Sequence, residues 1–154
     1  MIMKDFTSNK DVQDRADELQ IAMPSRYSIL YERTANFDEM LGKTIIRITG
    51  AETRSDAILF ECSDGSVYLM YHEQDCCENV DIEDISGNVL CLIGKPLLKV
   101  EETSNSGGDE WGTHTYTYYH LATINGYVDI RWYGESNGYY SESVDFIWLK
   151  ASNK

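Results

Sequence analysis

The sequence predicts an α+β protein, a mostly antiparallel, strongly curved β-sheet with one N-terminal helix and one short helix. Three observations carry this expectation. From Lys43 onward apolar residues recur with a period of two, the spacing of strands that bury one face. The pairs Asp64-Gly65 and Asn125-Gly126 interrupt these runs as tight hairpin turns, which join antiparallel neighbours. Helical spacing is confined to the start of the chain, where Val12, Ala16 and Leu19 stand among acids and amides.

Taken in order, Thr7-Ser8 supplies the cap of an amphipathic helix that ends before Pro24. Residues 25–37 have no clear period and read as an irregular connection, so residues 1–36 form an arm ahead of an acidic β-rich domain over 37–154. In that domain Ile46 and Ile48 mark a first strand. Ala57 to Cys62 and Val67 to His72 make the second and third around Asp64-Gly65, and Val80 to Ile85 a fourth. Ser86-Gly87-Asn88 caps a short helix over Val89 to Ile93, stopped by Gly94 and Pro96. Leu97 to Glu102 is a further strand. Thr103 to Gly112 is polar, contains Gly107-Gly108 and is expected to be a mobile loop. Thr113 to Thr123 and Tyr127 to Tyr133 flank Asn125-Gly126, and Tyr139 to Leu149 closes the domain. No repeat is visible, and the length of 154 residues suits a continuous core.

Charge narrows the function. The formal net charge is −13; residues 1–36 hold five basic and six acidic side chains, a net of −1, which leaves −12 on the rest. A field of that sign disfavours direct binding to nucleic acid or anionic lipid, because affinity for phosphates comes from Lys and Arg displacing counterions. Cationic protein surfaces are the expected partners. No apolar run is long enough to span a bilayer, and Met1-Ile2-Met3-Lys4-Asp5 lacks the order of a signal peptide, so a cytoplasmic protein with no membrane partner is expected. In that compartment Cys62, Cys76, Cys77 and Cys91 are expected as thiols.

Between His72 and Asp84 stand Glu73, Asp75, Glu78, Asp81, Glu83 and Asp84, with no Lys or Arg among them, around Cys76-Cys77. Such a run can repel nucleic acid, imitate it, or hold a metal. His72, Asp75, Cys76 and Glu78 are ligand types that zinc accepts, but adjacent cysteines lack the two-to-four-residue separation of structural zinc sites. The competing reading is a solvated loop with one buried cysteine, and no metal or other cofactor is expected. His114 and His120 share a strand face with Tyr116 and Tyr118, without a nucleophile to serve. They read more simply as polar residues on a wet face. No nucleophile elbow, phosphate-binding glycine loop or metalloprotease helix occurs, so no catalytic residue is assigned. The aromatic stretch Arg131 to Glu142 reads either as a packed hairpin or as a contact surface in which Arg131, Tyr133, Tyr139 and Tyr140 meet a partner.

The strings Val80 to Gly87, Leu92-Ile93-Gly94-Lys95-Pro96 and Ile130 to Ser141 resemble an uncharacterised family of small bacteriophage and prophage domains, over about Leu41 to Leu149. The resemblance implies no catalytic residue, and the arm lies outside it. Phage-like resemblance, an acidic domain and no recognisable active site together give the expected function. It is a non-enzymatic phage-encoded inhibitor that binds the basic nucleic-acid surface of a host defence protein, such as a nuclease or CRISPR effector. The carboxylates of residues 73–84 would stand in for phosphates. The alternatives are a small-molecule or nucleotide binder using Arg131, Trp132, Tyr133 and Tyr140, and a metal-dependent enzyme.

Overall fold

The computed structural model describes residues 9–21 and 33–153. Its elements are helix α1 (Lys10–Glu18) and strands β1 (Ile45–Thr49), β2 (Ala57–Cys62), β3 (Val67–Tyr71), β4 (Asn79–Ser86), β5 (Lys99–Asp109), β6 (Gly112–Thr123), β7 (Gly126–Ser136) and β8 (Asp145–Lys150). The strands form two four-stranded sheets, ordered β1-β2-β3-β8 and β4-β7-β6-β5, and every neighbouring pair is antiparallel. The inner faces share one core, in which Phe60 and Met70 of the first sheet meet Ile82, Leu121 and Trp132 of the second.

This corrects the expected fold class. The protein is β-rich, with two stacked sheets and one short helix, and neither sheet is strongly curved or closed. Alternating apolar residues show that a strand buries one face; they do not show whether the covering layer is the same sheet bent over or a second sheet. The chain crosses between sheets after β3 and again after β7, through segments 72–78 and 137–144.

Helix α1 covers the outer face of the first sheet. Val12 and Ala16 are fully buried, and Val12 packs with Ala57, Leu59, Leu69 and Ile147. Beside this contact Arg15 grips Glu61 with two nitrogens, Nε to Oε2 at 2.9 Å and an Nη2 to Oε1 at 2.8 Å. β2 and β3 are thus covered on both faces, and every residue in them is buried, including Glu61. The helix is capped by Asn9, whose side chain accepts from the Val12 N–H at 3.2 Å. Thr7 and Ser8, the expected cap, lie outside the described residues, as does most of the expected connection 25–37.

The expected hairpin at Asp64-Gly65 is present: the Gly65 N–H donates to Cys62 O at 3.0 Å, and the Asp64 carboxylate accepts from the Ser66 N–H at 2.9 Å. Between β6 and β7 the turn residues are Ile124 and Asn125, and Gly126, at φ +141°, begins β7 opposite Thr123. The short helix is a single 3-10 turn, Val89–Leu92. Two boundaries are overturned. Thr103 to Asp109 is no loop but the second half of β5, paired residue for residue with β6; cross-strand bonding overrides the poor strand propensity of its Ser, Asn and Gly. Residues 139–144 are not strand. Glu142 there draws in hydroxyl hydrogen bonds from Thr113, Thr115 and Ser136, and holds the segment across Gly134, where a Cβ would lie 2.9 Å from the Glu142 carbonyl oxygen.

Candidate functional site

With α1 packed on the outer face of the first sheet, the outer face of β4-β7-β6-β5 is the broad face left uncovered by any described element. Side chains of one pleat stand on it in cross-strand rows fixed by the register. One row runs Ser86, Asp129, His120, Glu101, and the next Asp84, Arg131, Tyr118, Thr103. Then come Asp81, Tyr133, Tyr116, Asn105 and, last, Asn79, Glu135, His114, Gly107. Carboxylates hold the β4 edge, while rings fill the two central strands.

The rings touch in series. His114 lies 5.8 Å from Tyr116 and 6.3 Å from Tyr133, Tyr116 lies 5.1 Å from Tyr133 and 6.3 Å from Tyr118, and His120 lies 5.4 Å from Tyr127. Offset and edge contacts of this kind stiffen side chains that would otherwise be mobile on a wet surface. A bulge in β4 between Ile82 and Asp84 turns Glu83 toward β7, where Oε1 meets an Arg131 Nη2 at 2.8 Å. His120 Nδ1 lies 2.5 Å from Asp129 Oδ1. These two pairs flank a groove of about 240 Å³ whose walls include Asp84, Glu101, Thr103 and Tyr118. Asp81 is raised chiefly by burial, with Arg54 opposing and Asp56, Glu83 and Glu135 adding to the rise.

The expected site residues divide. Asp81, Glu83, Asp84, Arg131 and Tyr133 come together on the open face. Glu73 and Asp75 are exposed on the crossover loop, the Glu73 N–H donating to Asp145 at 2.8 Å. Tyr139 is 89% exposed in segment 137–144, and Tyr140 is half-buried there. Glu78 does not belong to any surface: its side chain is buried. Its carboxylate accepts from the N–H groups of Cys76 at 2.9 Å and Asp75 at 3.1 Å and from the Gln74 amide at 3.0 Å, and lies 2.8 Å from His72 Nε2. Burial alone would raise this carboxyl; the Cys76 N–H, His72 and the Asp75 N–H outweigh it and lower it to about 2. His72 Nδ1 reaches the Ser143 carbonyl at 2.6 Å, which ties the loop to the segment before β8.

Two readings need correction here. Cys76 and Cys77 are joined to each other in a disulfide, while Cys62 and Cys91 are free. Trp132 points into the core and Arg131 and Tyr133 point out, because neighbours on a strand face opposite sides; the four residues named for a nucleotide pocket do not line one pocket. Among the described residues no group of three or more His, Cys, Asp or Glu is placed to hold a metal ion. Glu101, Tyr118, His120 and Asp129, which build the groove, were not among the expected contacts. Asp129 shares the parity of Arg131 and Tyr133 within one strand, whereas Glu101, Tyr118 and His120 join them only once β5, β6 and β7 are in register.

The family comparison covers this whole face. Residues 38–146, more than half of the chain, match a family described as Domain of unknown function (DUF7448), and the chain belongs to that family. No curated protein and no solved structure matches the chain. No helix among the described residues is long and apolar enough to cross a membrane.

Proposed function

We propose that this chain is a non-catalytic binding protein that occupies the basic, nucleic-acid-binding surface of a partner protein, acting as a phage-encoded inhibitor of a host defence protein in the host cytoplasm. One observation carries the reading. Of the two outer sheet faces one carries α1, while the other presents stacked tyrosines and histidines bordered by Asp81, Glu83, Asp84, Glu135, Asp129 and Glu101. Rigid aromatic side chains supply contact area at low entropic cost, and carboxylates around them match Lys and Arg groups that otherwise hold phosphates. The acidic contact set differs from the run in the sequence: Glu73, Asp75 and Glu78 leave it and Asp129, Glu135 and Glu101 enter.

Affinity capture from host lysate tests this with the wild-type chain beside a triple variant, Glu83→Gln, Asp84→Asn and Glu101→Gln. A nuclease or other nucleic-acid-binding protein recovered by the wild type and lost from the variant is the expected outcome. Recovery of no such protein, or equal recovery by both, overturns the reading. The groove beside Arg131 and His120 favours a second reading, a small polar ligand held on the same face. Saturable stabilisation of the melting transition by nucleotides at micromolar concentration would select it instead.

A further inference from the structure

Sheet edges present unpaired N–H and C=O groups, and natural proteins cover or disrupt them. Three of the four edges here carry backbone bonds from another segment of the chain at one or two of their residues. Beside β1, Thr44 bridges Pro96 and Ile45 bridges Ile93, and the Gly94 N–H donates to Ile45 O at 2.9 Å. Beside β8, Thr34 bridges Ile147 and the Ala35 N–H donates to Phe146 O at 2.9 Å. Beside β4, the Arg54 N–H donates to Ile82 O at 2.7 Å and the Ile82 N–H to Ser55 O at 2.9 Å.

The fourth edge, β5, is different. Backbone bonding from other segments stops at Leu97, whose carbonyl accepts from the Gly42 N–H at 2.9 Å, and the 3-10 turn Phe37–Met40 packs against β5 without bonding to its backbone. Along Lys99–Asp109 the backbone bonds among the described residues run to β6 alone. The usual devices against added strands are missing from its middle: Thr103 to Gly108 contains no charge and no proline, and the pairing with β6 has no bulge.

We infer that β5 is a strand-addition site and that its occupant is an extended, basic segment of the partner protein. Charge selects the occupant. Glu101 and Glu102 project to opposite faces of the strand, so an added strand beside them is matched by Lys or Arg at adjacent positions, one on each face. Asp109 and Glu110 repeat the preference at the far end. A second copy of this chain would bring the same acids and a further net charge of −13. On the outer face the added strand would lie beside Thr103, itself opposite Tyr118, so that it widens the open face at the rim of the groove. Main-chain bonds then supply affinity while the acids select for basic side chains.

This inference rests on the proposed binding of a basic partner, and the experiment separates the two. The probes are a threonine peptide matched to β5 in length with two adjacent lysines near each end, and the same peptide with every backbone nitrogen methylated, which keeps all charges and removes its ability to donate to a strand. The unmethylated peptide is expected to bind the full chain and slow hydrogen exchange at alternate amides between Glu101 and Asp109, with binding about tenfold or more weaker on methylation. Equal binding of both peptides, abolished by Glu83→Gln, Asp84→Asn and Glu101→Gln together, would sink strand addition and leave the acidic-face reading standing. Binding of neither would remove both. Sedimentation of the chain alone as a dimer that Ser104→Lys dissociates would show that the occupant is a second copy, and would overturn the inference.

Discussion

Glu78 shows how one side chain can look like surface in a sequence and act as an organiser in the fold. It sits among acids that face solvent, yet it gathers donors from Gln74, Asp75, Cys76 and His72 and so fixes the crossover between the two sheets. With its carboxyl at about 2 in the fold against an ordinary 4.5, its contribution to stability is present above about pH 4.5 and is lost as the pH falls from there to about 2. The magnitude is about 3 kcal/mol, from about 1.4 kcal/mol per unit of depression. Asp145 has the opposite sign: burial raises its carboxyl, the Glu73 N–H and His72 only partly opposing, so it favours the fold as the pH drops. A Glu78→Gln comparison isolates the first effect. Urea denaturation of that variant is expected to show about 3 kcal/mol less stability than the wild type at pH 7, the gap closing between pH 4.5 and 2. A gap independent of pH would show that packing rather than ionisation is lost.

At the scale of elements, α1 is held to the first sheet by Val12 and Ala16 and by the paired bonds from Arg15 to Glu61. Glu61 is 6% exposed, and Arg47 reaches it only at 3.9 Å. Removing the guanidinium therefore strands a buried carboxylate. Arg15→Ala is expected to cost about 2 kcal/mol, short of the full penalty for a broken buried pair because Arg47 can close in. A double-mutant cycle with Glu61→Gln measures the coupling, and a coupling near zero would mean that the helix is held by apolar contact alone. The same region shows what the sequence could reveal. β2 and β3 are legible almost to the residue, because Asp64-Gly65 fixes the turn between two apolar segments. The double cover of those strands is not part of a period-two reading, which expects one buried face, and it depends on a helix from a distant part of the chain. The far half of β5 is not legible, because Ser, Asn and Gly at an exposed edge carry no strand signal and only pairing with β6 holds them extended. The open face is half legible: period two groups His114, Tyr116, Tyr118 and His120, and the aromatic stretch points to Arg131 and Tyr133, while the neighbours supplied by other strands depend on registers that no local pattern encodes.

Over the whole molecule, the position of the charge matters more than its sum. The helix covers one outer face and the acids of β4, β7 and the start of β5 surround the other, so an approaching cationic surface meets a field that orients it toward the open face. Screening acts over about 8 Å at physiological ionic strength, so long-range attraction of this kind is weakened strongly by salt while contacts among rings are not. Two variants with the same change in net charge separate location from total: Glu83→Gln, Asp84→Asn and Glu101→Gln on the open side, against Asp11→Asn, Asp14→Asn and Asp17→Asn on α1. With the captured partner, the first set is expected to slow association about tenfold or more and flatten its dependence on salt, and the second to change either by less than about threefold. Stopped-flow association rates between low and physiological salt measure both. Equal slowing by the two sets would mean that the partner responds to net charge alone, and the open face would lose its claim to be the contact surface.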